Sequence, residues 1–108
     1  MEKQMELYFD RLWPICRSIL GQGFRESLDI LSEKVPFERL RFKTGERVFD
    51  WIIPREWSIR NAYVIGPDDK KRFDFKMNNL HVVNYSSPFK GKLSLSELRP
   101  HLHSLPDH

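Results

Sequence analysis

The sequence predicts an α+β fold: two N-terminal helices, then a small antiparallel β domain, then a short C-terminal helix. Apolar residues recur at helical spacing through the first third, apolar and polar residues alternate through the middle, and a helix-capping pattern stands near the end.

In the first third, Met5, Phe9, Leu12, Trp13, Cys16, Ile19 and Leu20 follow one another at helical intervals, so they share one face of an amphipathic helix. Pro14 lies inside this pattern and removes a backbone donor, which predicts a kink or a restart there. Gly21-Gln22-Gly23 stops the helix. Phe24, Leu28, Leu31 and Val35 then mark the buried face of a second helix, which Pro36 ends.

The period changes in the middle. Leu40 and Phe42 alternate with Arg39 and Arg41, and Thr44-Gly45-Glu46 reads as a turn. From Val48 to Ile53, alternate side chains point to opposite faces of one expected strand, which Pro54 interrupts. Ala62–Ile65 is a further strand, followed by a Gly66-Pro67-Asp68-Asp69 turn and a returning strand with Phe73 and Phe75. Leu80 to Tyr85 is another short strand. In the tail, Ser94 and Glu97 form a capping box, and Leu95, Leu98 and Leu102 line the helix it opens. Pro100 and Pro106 keep that helix short or bent.

The bulk numbers exclude several function classes. A chain of 108 residues supports one small domain at most. Its 18 basic and 15 acidic residues are interspersed, which gives no case for nucleic acid or an anionic membrane. The cluster of Lys70, Lys71, Arg72 and Lys76 is a solvated hairpin by this reading. No stretch approaches the roughly 20 apolar residues of a membrane helix, and the acidic start at Glu2 and Glu6 is no secretory signal. Cys16 is the single cysteine, which fits a reducing, cytoplasmic setting.

Candidate chemistry is sparse. The histidines are His81, His101, His103 and His108. Catalytic zinc needs about three protein ligands, and on a helix His101 and His103 fall on opposite sides. His81 in an apolar strand reads as a hydrogen-bonded, half-buried residue. A small metal hydrolase using His81, His101 and His103 is therefore the last of the functional readings. Cys16 has no histidine close in sequence and reads as a small hydrophobe on the first helix. Gly21-Gln22-Gly23 lacks the preceding strand and third glycine of a phosphate loop. Arg17 and Arg25 with Glu26 read as local ion pairs or surface contacts. Asp50, Trp51, Arg55 and Trp57 combine flat apolar rings with charges, a pairing able to hold a peptide or a glycan. The competing reading puts Trp51 in the sheet core and Trp57 against a loop. With His81, these four are the candidate binding residues.

Three ordered stretches carry a resemblance. They are Pro14-Ile15-Cys16-Arg17-Ser18-Ile19-Leu20-Gly21-Gln22-Gly23-Phe24-Arg25-Glu26, the run Val48–Tyr63 containing Phe49-Asp50-Trp51-Ile52-Ile53-Pro54-Arg55-Glu56-Trp57, and Asn79–Pro88, followed by Leu95-Ser96-Glu97-Leu98 and His101–Pro106. Together they resemble the N-terminal region of bacterial polysaccharide biosynthesis proteins with an aminopeptidase-like domain, proteins that contain domains of unknown function. The likeness runs from about Met5 to Pro106, with Leu20 standing where a small polar residue is expected.

The resemblance implies that residues 1–36 are a helical segment of an aminopeptidase-like domain and residues 37–108 part of an inserted β domain. It implies zinc for the longer protein, with His, Asp and Glu ligands beyond His108, and no cofactor held by this chain. On that reading the chain is an N-terminal fragment with a scaffold or substrate-access role, inactive alone, whose partner is the remainder of the domain. The alternative is a free-standing module that binds a peptide, a glycan or another protein.

Overall fold

The computed structural model describes residues 1–107. Its order is α1 (Glu2–Leu12), α2 (Gln22–Ser32), β1 (Arg47–Val48), β2 (Trp51–Ile52), β3 (Val64–Ile65), β4 (Lys71–Arg72) and α3 (Leu95–Leu98). This is the α+β order of two helices, antiparallel strands and a short helix.

α1 stops where Pro14 removes the next backbone donor. Trp13 is its C-cap and donates its N–H to the Phe9 carbonyl at 2.8 Å. The expected continuation to Leu20 does not form, so Cys16 lies in the irregular connection and not on a helix face. α2 packs beside α1, joined by Arg11, whose guanidinium grips both Glu33 oxygens at 2.6 and 2.7 Å.

The two glycines at the start of α2 serve close packing. Gly21 caps α2 at φ 123°, and a Cβ there would stand 2.5 Å from the Trp57 carbonyl oxygen. A Cβ on Gly23 would meet the Cys16 carbonyl oxygen at 2.4 Å. Backbone from two other segments occupies the space a side chain needs, which is why this turn is Gly-x-Gly.

The expected strand from Val48 to Ile53 is instead a hairpin. Val48 pairs with Trp51 and Arg47 with Ile52, leaving Phe49-Asp50 as the loop. The ladder continues outward, with Ile53 N–H donating to the Glu46 carbonyl and Gly45 N–H to the Ile53 carbonyl. An isolated strand leaves its backbone groups unpaired, and folding back on itself satisfies them. The loop places Phe49 at φ 54°, a conformation that costs a non-glycine residue roughly 1–3 kcal/mol. Residues 40–42 form no strand.

The second hairpin follows the sequence more closely. Gly66–Asp69 turns the chain, and Val64 pairs with Arg72 and Ile65 with Lys71. The returning strand ends at Arg72, because Phe73 turns to φ 52°. The expected strand from Leu80 to Tyr85 is replaced at its start by a 3-10 turn over Asn79–His81. The Asn78 side chain accepts the Leu80 N–H at 2.9 Å, and this local bond competes with strand pairing. α3 opens with the expected capping box on Ser94 and Glu97. Pro100 lies in the 3-10 turn that follows, so Leu102 and His103 are outside the helix.

Little of this is buried. Ile53, 8% exposed, is the one buried apolar residue among those described. The accessible surface is 10174 Å², where a compact monomer of 13.0 kDa has roughly 6,300 Å². The radius of gyration is 17.6 Å, against about 13 Å for a compact domain of this length.

Candidate functional site

Several segments distant in sequence meet at a junction around Trp57. The Ser18 hydroxyl faces the carbonyls of Leu20 and Trp57. The Trp57 indole N–H donates to the Ser86 carbonyl at 3.0 Å. Its ring stacks on Tyr85, with centroids 6.2 Å apart, and the Tyr85 hydroxyl donates to the Arg55 carbonyl at 3.0 Å. Arg25 of α2 reaches both oxygens of Glu56. That bond holds the Glu56 carboxyl below its ordinary value and raises the Arg25 guanidinium.

A second seam lies beside it. Asn79 donates its side-chain amide to the carbonyls of Trp13 at 2.8 Å and Ile15 at 3.3 Å. Asn84 does the same for Arg17 at 2.9 Å. The two asparagines therefore satisfy alternate carbonyls of the segment that leaves α1. A groove of about 380 Å³ runs along this seam, lined by residues that include Trp13, Cys16, Asn79 and Asn84. Partial burial pushes the Cys16 thiol up, which keeps it protonated and weak as a nucleophile.

The five candidate binding residues fall in three places. Asp50 is in the hairpin loop and Trp51 on β2 beside it, with Trp51 half exposed and outside any core. Arg55 and Trp57 belong to the junction, where Trp57 packs against the loop at Ser86. His81 sits edge-on to Phe73 at 5.8 Å and donates Nδ1–H to the Asp74 carbonyl at 3.0 Å. The basic hairpin is paired locally, Arg72 with Asp68 and Lys71 with Asp74. Arg25 finds Glu56 and not Glu26, which instead accepts from Gln22. Glu56, Tyr85, Asn79 and Asn84 carry no signal in their spacing, because each acts on a segment more than 25 residues away.

Among the described residues no group of three His, Cys, Asp or Glu side chains converges as metal ligands, so they do not fit a zinc centre. His108 lies outside the described residues. No described helix is long and apolar enough to cross a membrane.

Residues 56–108 match the family described as a domain of unknown function, DUF2172. A Clostridium acetobutylicum protein described as "Putative polysaccharide biosynthesis protein with aminopeptidase-like domain" is 47% identical over 103 residues, which is 94% of this chain. The chain belongs to this aminopeptidase-like family. It spans 24% of that relative's length. The same architecture is present in a crystal structure described as a "putative peptidase" from Clostridium acetobutylicum, with a TM-score of 0.88 and 45% identity. That match covers 98% of this chain and 26% of the crystallised one.

Proposed function

We propose that these residues are a non-catalytic structural part of an aminopeptidase-like protein. They brace the peptidase-like portion and shape access to its site. Zinc, implied for the family, would be held by residues outside those described, and the single free cysteine favours the cytoplasm as the compartment.

One observation carries this reading: the chain exposes 10174 Å², where a compact monomer of its mass would expose roughly 6,300 Å². A standard interface removes only about 800 Å² from each partner. The excess is several times that, which is the surface expected of a piece of a larger folding unit. The junction fits the same role, since its polar groups bond to protein and not to an open cleft. In this reading the exposed hairpin, with Asp50 and Trp51, would meet a peptide or glycan.

The test is an assay of the purified chain with aminoacyl chromogenic substrates and added zinc. No turnover above background is expected, and turnover at enzyme-like rates would overturn the proposal. Hydrogen exchange on the isolated chain supplies the second half. Rapid exchange outside the helices supports a part that needs its surroundings, whereas global protection with cooperative unfolding favours a free-standing binding module.

A further inference from the structure

α1 carries two parallel rows. Met1, Met5, Phe9 and Trp13 are all exposed and recur every four residues. Each such step advances only about 40° around a helix, so they form one continuous apolar row. Phe9 and Trp13 stack within it at 5.8 Å. Glu2, Glu6 and Asp10 recur at the same interval and run roughly 100° further round. None of these three carboxylates takes part in a salt bridge among the described residues. The rows meet at a groove of about 470 Å³ lined by Met5, Glu6, Phe9 and Asp10. α2 covers the other flank, through Tyr8 and Arg11 on Glu33.

We infer that this face is a docking seam for an amphipathic helix with a basic edge, supplied by the rest of the aminopeptidase-like protein. That source rests on the reading above. The apolar row calls for residues at helical spacing, and the unpaired acidic row calls for lysine or arginine beside them. A second copy of this chain does not complement it. Its α1 would bring the same acidic row against this one, with Lys3 as its one base outside a salt bridge among the described residues and Arg11 already on Glu33; its α2 has Arg25 as the one basic residue, already paired with Glu56, and its α3 has none. The Clostridium relative is about four times as long, the chain spanning 24% of it, so ample sequence exists to supply the helix.

The experiment titrates this chain with overlapping synthetic peptides covering the other three-quarters of the Clostridium acetobutylicum relative, read by calorimetry. One window is expected to bind, and its helix should project basic residues beside an apolar row. Phe9→Asp should weaken that binding at least tenfold. The exposed double variant Glu6→Lys/Asp10→Lys, checked by circular dichroism for unchanged helix content, should weaken it severalfold and remove its salt dependence. Binding by no window, binding insensitive to the charge reversal, or self-association of the chain through this face would overturn the inference. None of those results bears on the turnover assay, so the two proposals fail separately.

Discussion

The Trp57 carbonyl oxygen stands 2.5 Å from the point where a Cβ on Gly21 would sit. Gly21 is also at φ 123° and ψ −172°, a region open almost only to glycine. Gly21→Ala therefore meets both a steric clash and a backbone penalty. It should destabilise by roughly 1–3 kcal/mol from the backbone alone, and the junction should loosen with it. Urea unfolding followed by tryptophan fluorescence checks this. An unchanged midpoint would show that the Trp57 segment and the α2 cap are not in contact.

Trp57 itself separates two contributions. Trp57→Phe keeps an aromatic ring against Tyr85 but loses the indole donor to Ser86, at a cost of about 1 kcal/mol. Trp57→Ala loses the ring as well and should cost about 3 kcal/mol or more. Thermal unfolding of the pair measures the difference. Equal effects would mean that the stack contributes nothing.

Asn79→Ala removes the donor for both the Trp13 and Ile15 carbonyls. The expected loss is roughly 1–2 kcal/mol, since net hydrogen bonds contribute about 1 kcal/mol each. Amide exchange should rise selectively in residues 13–17, which a general destabilisation would not produce.

What the sequence reveals and what it hides divide by range. The Gly66–Asp69 turn and the Ser94–Glu97 cap are legible because each is closed by neighbours in sequence. The glycine turn at Gly21 is legible as a turn, but its cause, the approach of Trp57 and Cys16 backbone, is not. α1 ends before Pro14, which lacks the next donor, and the carbonyls that follow are taken up by Asn79 and Asn84, although the apolar spacing continues to Leu20. The row from Met5 to Trp13 looks like a core face in the sequence and lies on the surface in the structure. Periodicity reports that a face seeks cover, and not whether the same chain supplies it. The candidate binding residues scatter for a related reason. Asp50 and Trp51 are carried off by a hairpin that the unbroken alternation from Val48 to Ile53 conceals.

The β3–β4 hairpin should respond to acid through one carboxylate. Arg72 donates to both oxygens of Asp68, at 2.6 and 2.8 Å, and lowers its pKa from 3.8 to about 2. A folded-state pKa below the unfolded value means that the ion pair stabilises the hairpin above about pH 4. That stabilisation is then lost as the pH falls from 3.8 towards 2. Asp68 is exposed, so salt should diminish the effect. Amide chemical shifts of residues 64–72, followed by NMR across this window, should report the loss. In Asp68→Asn the part of that response carried by the Arg72 pair should disappear, while the carboxylates of Asp69 and Asp74 and the turn at Gly66-Pro67 remain.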